Sequence, residues 1–123
     1  DLTGEGASVQ ANDPYDYLPG RKIGRFATFY ADGKDLRDPL ISPLNAHLSG
    51  LSPLIMITGG RELFVSENEA IAEKARQSGV DVAHLVHPDL IHVYPAVLPF
   101  ERESKEAFAF ISKHFRRISK LND

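Results

Sequence analysis

Leu54-Ile55-Met56-Ile57-Thr58-Gly59-Gly60 is the stretch on which the reading of this chain turns. The run from Leu54 to Thr58 is too short for a buried helix and is closed by two glycines. It suits a central parallel strand covered on both faces. Ser66-Glu67-Asn68-Glu69 then has the form of a capping box, with Ser66 at the N-cap and Glu69 three residues later. A helix is expected from there to about Ser78, with Gly79 as its stop. Val80 to Val86 reads as a second strand. From about Glu101 to Leu121 the pattern is that of a long amphipathic helix. Ala107, Phe108, Ile111, His114, Phe115 and Ile118 form its expected buried stripe. Strand, helix, strand, helix in this order implies a right-handed crossover and a parallel sheet. The fold class is α/β.

Upstream of this unit, residues 1–53 read as a connector with one short helix. Asp13-Pro14 and Leu18-Pro19-Gly20 are turn signals within a loop that has room for one turn of helix. Lys22 to Tyr30 sets Ile23, Phe26, Ala27 and Tyr30 on one apolar face, and Ala31-Asp32-Gly33 should end that helix. Asp38 to Pro53 holds three prolines and reads as ordered but irregular. Two strands that both look buried cannot make a stable sheet by themselves. About three helices are also too few to cover both faces. The sheet is therefore expected to be completed by residues outside this chain.

With 42% apolar and 25% charged residues, the composition is that of an ordinary globular protein. A net charge of -3 gives no basic face for nucleic acid, and no apolar run is long enough to span a bilayer. The 123 residues contain no cysteine, which excludes disulfides and thiolate chemistry and fits a reducing, cytoplasmic setting.

In a parallel α/β sheet, reactive groups gather at the carboxyl ends of the strands. The loop Gly59-Gly60-Arg61-Glu62-Leu63-Phe64 offers one carboxylate there, Glu62. The loop His87-Pro88-Asp89-Leu90-Ile91-His92 offers an imidazole, His92. If the strands are neighbours, the two side chains share one edge of the sheet, as the acid and base of a nucleophilic triad do. By residue type alone, His92 also reads as a turn histidine bonded to backbone. Glu62 likewise reads as a carboxylate favoured near the following helix N-terminus. No carboxylate stands at ligand spacing with His84 and His87, so no metal site is expected. Ser42, Ser49, Ser52 and Ser66 lack the context of a nucleophile, and Ser66 reads as a cap. The apolar run Val93 to Phe100 is expected to pack the loop onto the sheet or to line an acyl pocket.

Asp38-Pro39-Leu40-Ile41-Ser42-Pro43-Leu44, Gly59-Gly60-Arg61-Glu62 and Pro88-Asp89-Leu90-Ile91-His92-Val93-Tyr94 together carry a resemblance. In this order and spacing the chain resembles the α/β-hydrolases of the hormone-sensitive-lipase-like esterase group. Those segments correspond to that family's Asp-Pro-x-x-Ser-Pro stretch, its catalytic-acid loop and its Pro-Gly-x-x-His-x-Phe histidine loop. The chain departs from the pattern in carrying Glu62 where many relatives have Asp. It also carries Asp89 where Gly is common, which adds a charge near His92. Neither a Gly-x-Ser-x-Gly elbow nor a His-Gly-Gly segment occurs in the 123 residues.

The resemblance implies that residues 1–123 are the C-terminal half of an α/β-hydrolase domain, with the last two parallel strands and their flanking helices. It implies a serine carboxylic-ester hydrolase with a Ser-His-Glu triad, in which His92 is the base and Glu62 the acid. The nucleophilic serine and the oxyanion donors would come from an N-terminal half, as a companion chain or another segment. No metal or organic cofactor is implied. The substrate would be a small ester, and a homodimer through the last strand's edge is compatible with the family. The alternative is a non-catalytic ligand-binding protein on the same fold. Receptors that resemble the family typically lose the histidine, and His92 is present.

Overall fold

The computed structural model describes residues 1–120. In chain order the elements are α1 (Ala7–Ala11), α2 (Gly20–Ala31), a 3-10 turn (Pro43–Asn45), β1 (Leu54–Gly59), α3 (Val65–Gln77), β2 (Val82–His87), α4 (Tyr94–Val97) and α5 (Arg102–Ser119). β1 and β2 pair in parallel, Leu54 against Val82 through Gly59 against His87. Helices α3 and α5 each touch both strands. The two-strand α/β architecture read from the sequence is therefore the one observed. Leu121, the expected end of the last helix, lies outside the described residues.

The expected capping box does not form. Helix α3 begins at Val65, with Phe64 at the N-cap and Ser66 already inside the first turn. The free N–H groups are met from a distance instead. Ser66 N–H donates to Ser8 Oγ at 3.1 Å, and Ser8 N–H donates to Ser66 Oγ at 3.3 Å. Two helix N-termini thus cap each other, satisfying donors that each would otherwise leave unpaired. Glu67 is buried beside them and accepts from Ser66 Oγ at 2.8 Å. At the other end the reading holds: Gly79 takes φ 81, and Val80 N–H closes back on Ala75 O.

Burial departs from expectation in a consistent way. The strands are half-buried, and only Thr58 and Gly59 on β1 are fully covered. On α2, Ala27 and Ala31 are buried, whereas Phe26 is 63% and Tyr30 66% exposed. On α5 the stripe buries Ala107 but leaves Phe108 48% and Phe115 64% exposed. Both segments are helical, as their spacing predicts. Two strands have too little surface to cover those faces. The compact core is correspondingly small, with Leu48, Ala75 and Val80 at its centre and Ala46, Leu54, Ile71 and Val82 around it. Among the described residues no helix is long and apolar enough to cross a membrane.

Candidate functional site

β1 reaches the site through two glycines, for a local steric reason. A Cβ at Gly59 would run into the carbonyl oxygens of Leu90 and Ile91, and one at Gly60 into the backbone of Pro88. With hydrogen alone at these positions, the loop after β1 lies directly on the loop after β2. Gly60 N–H donates to His87 O at 2.7 Å, and Arg61 N–H to Leu90 O at 2.9 Å. At the rim, Arg61 meets Asp89 at 2.6 Å, with both side chains exposed. So open an ion pair adds at most about 1 kcal/mol. The backbone contact sets the separation of the loops.

Glu62 is the next residue but one. It is 2% exposed, and a buried carboxylate keeps its charge only among donors. Gly59 N–H donates to Oε2 at 3.1 Å, and Asn68 Nδ2 donates to Oε1. The N-terminal segment steadies the same loop. Asn12 Nδ2 donates to the carbonyls of Gly60 and Glu62, and Leu63 N–H donates to Asp16.

His92 arrives from the opposite loop. Val93 after it sits at φ 47, a left-handed conformation that costs a β-branched residue about 1–3 kcal/mol. That reversal opens α4 and leaves His92 facing Glu62, with Nδ1 3.7 Å from Oε2. The imidazole also lies edge-on to Phe64, with Tyr17 on another side. Nδ1 is buried and has no hydrogen-bond partner among the described residues. At 3.7 Å the pair is a close charge contact, longer than the about 2.7–3.2 Å of a formed hydrogen bond. The contact with Glu62 nevertheless holds the imidazolium above the usual histidine value of 6.5. Burial opposes this rise, and the charge of Asp16 adds a smaller upward pull. Asp89, expected to act on His92, is engaged with Arg61 instead.

The other histidines face elsewhere. His84 Nε2 shares a 2.8 Å hydrogen bond with Thr58 Oγ1 across the strands. Burial, with Arg76 nearby, pushes its pKa down. His87 lies against the Tyr94 ring, and His114 against Phe110. His114 Nδ1 is without a hydrogen-bond partner among the described residues. Ser42 is fully buried, accepts Leu2 N–H and donates to Asp1, which ties the N-terminus down.

The structure thus brings together the two residues singled out in sequence, Glu62 and His92. It adds supports that carried no sequence signal: Asn12, Asp16, Phe64 and Asn68. In sequence Asn68 falls within the capping pattern, and Asn12 and Asp16 lie in the first loop around Asp13-Pro14. Beside the pair lies an open cavity of about 260 Å³, lined by Ile57, Val93, Pro95, Ala96, Phe108 and Ile111 together with Glu62, Asn68 and His92. Part of the apolar run after His92 therefore lines a space next to the imidazole.

Residues 1–96 match the family described as alpha/beta hydrolase fold. The chain is 34% identical over 116 residues to an acetyl-hydrolase of Streptomyces hygroscopicus, covering 90% of this chain and 39% of that protein. It is 26% identical over 115 residues to an esterase of Acinetobacter venetianus, covering 92% of this chain and 38% of that protein. Among solved structures it superposes on an esterase of the bacterial hormone-sensitive lipase family with a TM-score of 0.88 and 33% identity. That match covers 95% of this chain and 40% of the other. The esterase EstE5, soaked with p-nitrophenyl butyrate, gives a TM-score of 0.87 at 30% identity, covering 96% of this chain and 40% of its own. The chain thus spans about two fifths of the length of the relatives it matches.

Proposed function

The chain belongs to the α/β-hydrolase fold family, and from that premise we propose that it supplies the base and acid of a serine ester hydrolase, His92 and Glu62. The observation that carries this reading is the facing pair itself. A buried carboxylate, each oxygen of which accepts one hydrogen bond, lies 3.7 Å from an imidazole nitrogen that has no other partner among the described residues. The relatives named as esterase and acetyl-hydrolase support the reaction class. The serine and the oxyanion donors come from an N-terminal segment outside these 123 residues, which together with residues 1–123 makes the complete hydrolase domain.

In this scheme Glu62 keeps the proton of His92 on Nδ1, which leaves the Nε2 lone pair for the serine. The contact shortens to hydrogen-bond length as the imidazole gains charge. Nε2 takes the serine proton while the serine oxygen bonds to the ester carbonyl carbon. It then returns that proton to the departing alcohol, leaving an acyl-serine. Water repeats the sequence and releases the acid. The apolar residues Val93, Pro95 and Ala96 beside His92 suit a short acyl or alcohol group. A small aryl ester such as p-nitrophenyl butyrate is therefore a suitable assay substrate.

A serine-reactive phosphonate tests this. It should label one serine in the complete hydrolase, outside these 123 residues, and abolish hydrolysis in proportion to labelling. Ester binding without labelling would instead identify a binding protein. Full hydrolysis by the 123-residue chain alone would overturn the division of the triad.

The pH dependence follows from the His92 shift. The base works when neutral, and its pKa is raised by Glu62. Activity should therefore fall as pH drops through a value above the ordinary 6.5. Glu62→Gln should move that limb down, as read from kcat against pH. A limb unmoved by the substitution would remove Glu62 from the pair.

A further inference from the structure

We infer that Asn68 is a positioning residue for the acid, holding the Glu62 carboxylate in the plane that presents Oε2 to His92. The inference rests on the catalytic reading of the pair and extends it to a residue outside both loops. Glu62 has a longer and freer side chain than aspartate. It reaches His92 from a loop, so its terminal torsion is not set by local backbone alone. The two oxygens have separate partners. Asn68 Nδ2 donates to Oε1, while Oε2 accepts from Gly59 N–H and faces His92.

Asn68 is well suited to such a task. It sits in the first turn of α3, and its own N–H donates to Phe64 O at 2.8 Å. Its amide therefore starts from a fixed point on a helix that touches both strands. The hydrogen bond spans six residues and fastens the loop's carboxylate to the helix that follows. It is part-buried and charge-assisted, the stronger class of hydrogen bond. Without it, one oxygen of a buried carboxylate would lack a donor, and the group would rotate toward water or another partner.

The test uses Asn68→Ala and Asn68→Asp in the complete hydrolase, with kcat, KM and the NMR titration of the His92 ring as readouts. The groups acting on that titration are Glu62 from the first loop and Asp16 from the N-terminal segment, so both stay unchanged. Asn68→Ala should lower kcat roughly tenfold with KM little changed, the size typical of losing an outer support. It should also lower the His92 pKa, because the carboxylate no longer stays opposite the ring. Asn68→Asp sets a second carboxylate against Oε1. The two cannot both ionise comfortably at that distance, so it should cost roughly ten times more.

A purely structural role would reduce thermal stability and leave the His92 titration in place in the folded fraction. A wild-type titration in Asn68→Ala would therefore overturn the assignment. The titration does not depend on ester turnover. It judges Asn68 even if the phosphonate finds no nucleophile, and the two readings fail separately.

Discussion

Replacing His92 with alanine in the complete hydrolase should lower kcat by roughly 10⁴- to 10⁶-fold, the loss seen when a triad is deprived of its base. KM for a small ester should change little, because the imidazole acts on the serine proton rather than on ground-state binding. The competing account makes His92 a turn residue fixed by backbone hydrogen bonds. It would predict a loss of about 1 kcal/mol of stability and near-normal turnover. The geometry disfavours that account, since Nδ1 is buried, faces Glu62 and takes no backbone partner among the described residues. Glu62→Gln keeps the shape but offers His92 the wrong partner. It should cost roughly 10³- to 10⁴-fold in kcat. A His92→Ala protein with more than about a tenth of normal kcat would end the proposal, whatever its stability.

How much of this was readable beforehand depends on the range of the forces involved. Leu54–Gly59 announced its strand because an unbroken apolar run after a proline and before two glycines has few other outcomes. Gly79 marked the end of α3 because its left-handed φ is a local demand. Glu62 and His92 could be placed at one edge because both follow the carboxyl ends of parallel strands, and the observed pairing of Gly59 with His87 sets their loops side by side. The failures came where a distant segment met a local need. Ser66 had every local feature of an N-cap, yet Ser8, fifty-eight residues away, supplied the oxygen. Asn12 and Asp16 bond to the acid loop across similar separations, and nothing in their own neighbourhood records it. The aromatic faces of α2 and α5 were correctly drawn but left open. Periodicity says which side of a helix is apolar, not whether the chain at hand contains its cover.

Gly59→Ala tests the feature of the site on which everything else stands. A methyl group there meets the carbonyl oxygens of Leu90 and Ile91, which are backbone atoms with no rotamer to yield. The loops must part or the strand must shift, at a cost of about 2–3 kcal/mol by the measure of overpacked interiors. The parting acts on the line between the acid and the base. Glu62 Oε2 is held by the Gly59 N–H itself, and His92 follows Ile91 directly. A displacement of about 1 Å at such a place costs roughly 10²-fold in rate. Gly79→Ala is the natural control. It is strained by its φ of 81 but has open space around it. It should lose about 1 kcal/mol of stability with kcat intact. The contrast is what decides: thermal melts should place Gly59→Ala below Gly79→Ala, and only Gly59→Ala should lose turnover. Equal melting temperatures with equal kcat would mean that the two loops have room between them. The close backbone approach would then not be what brings the carboxylate to the imidazole.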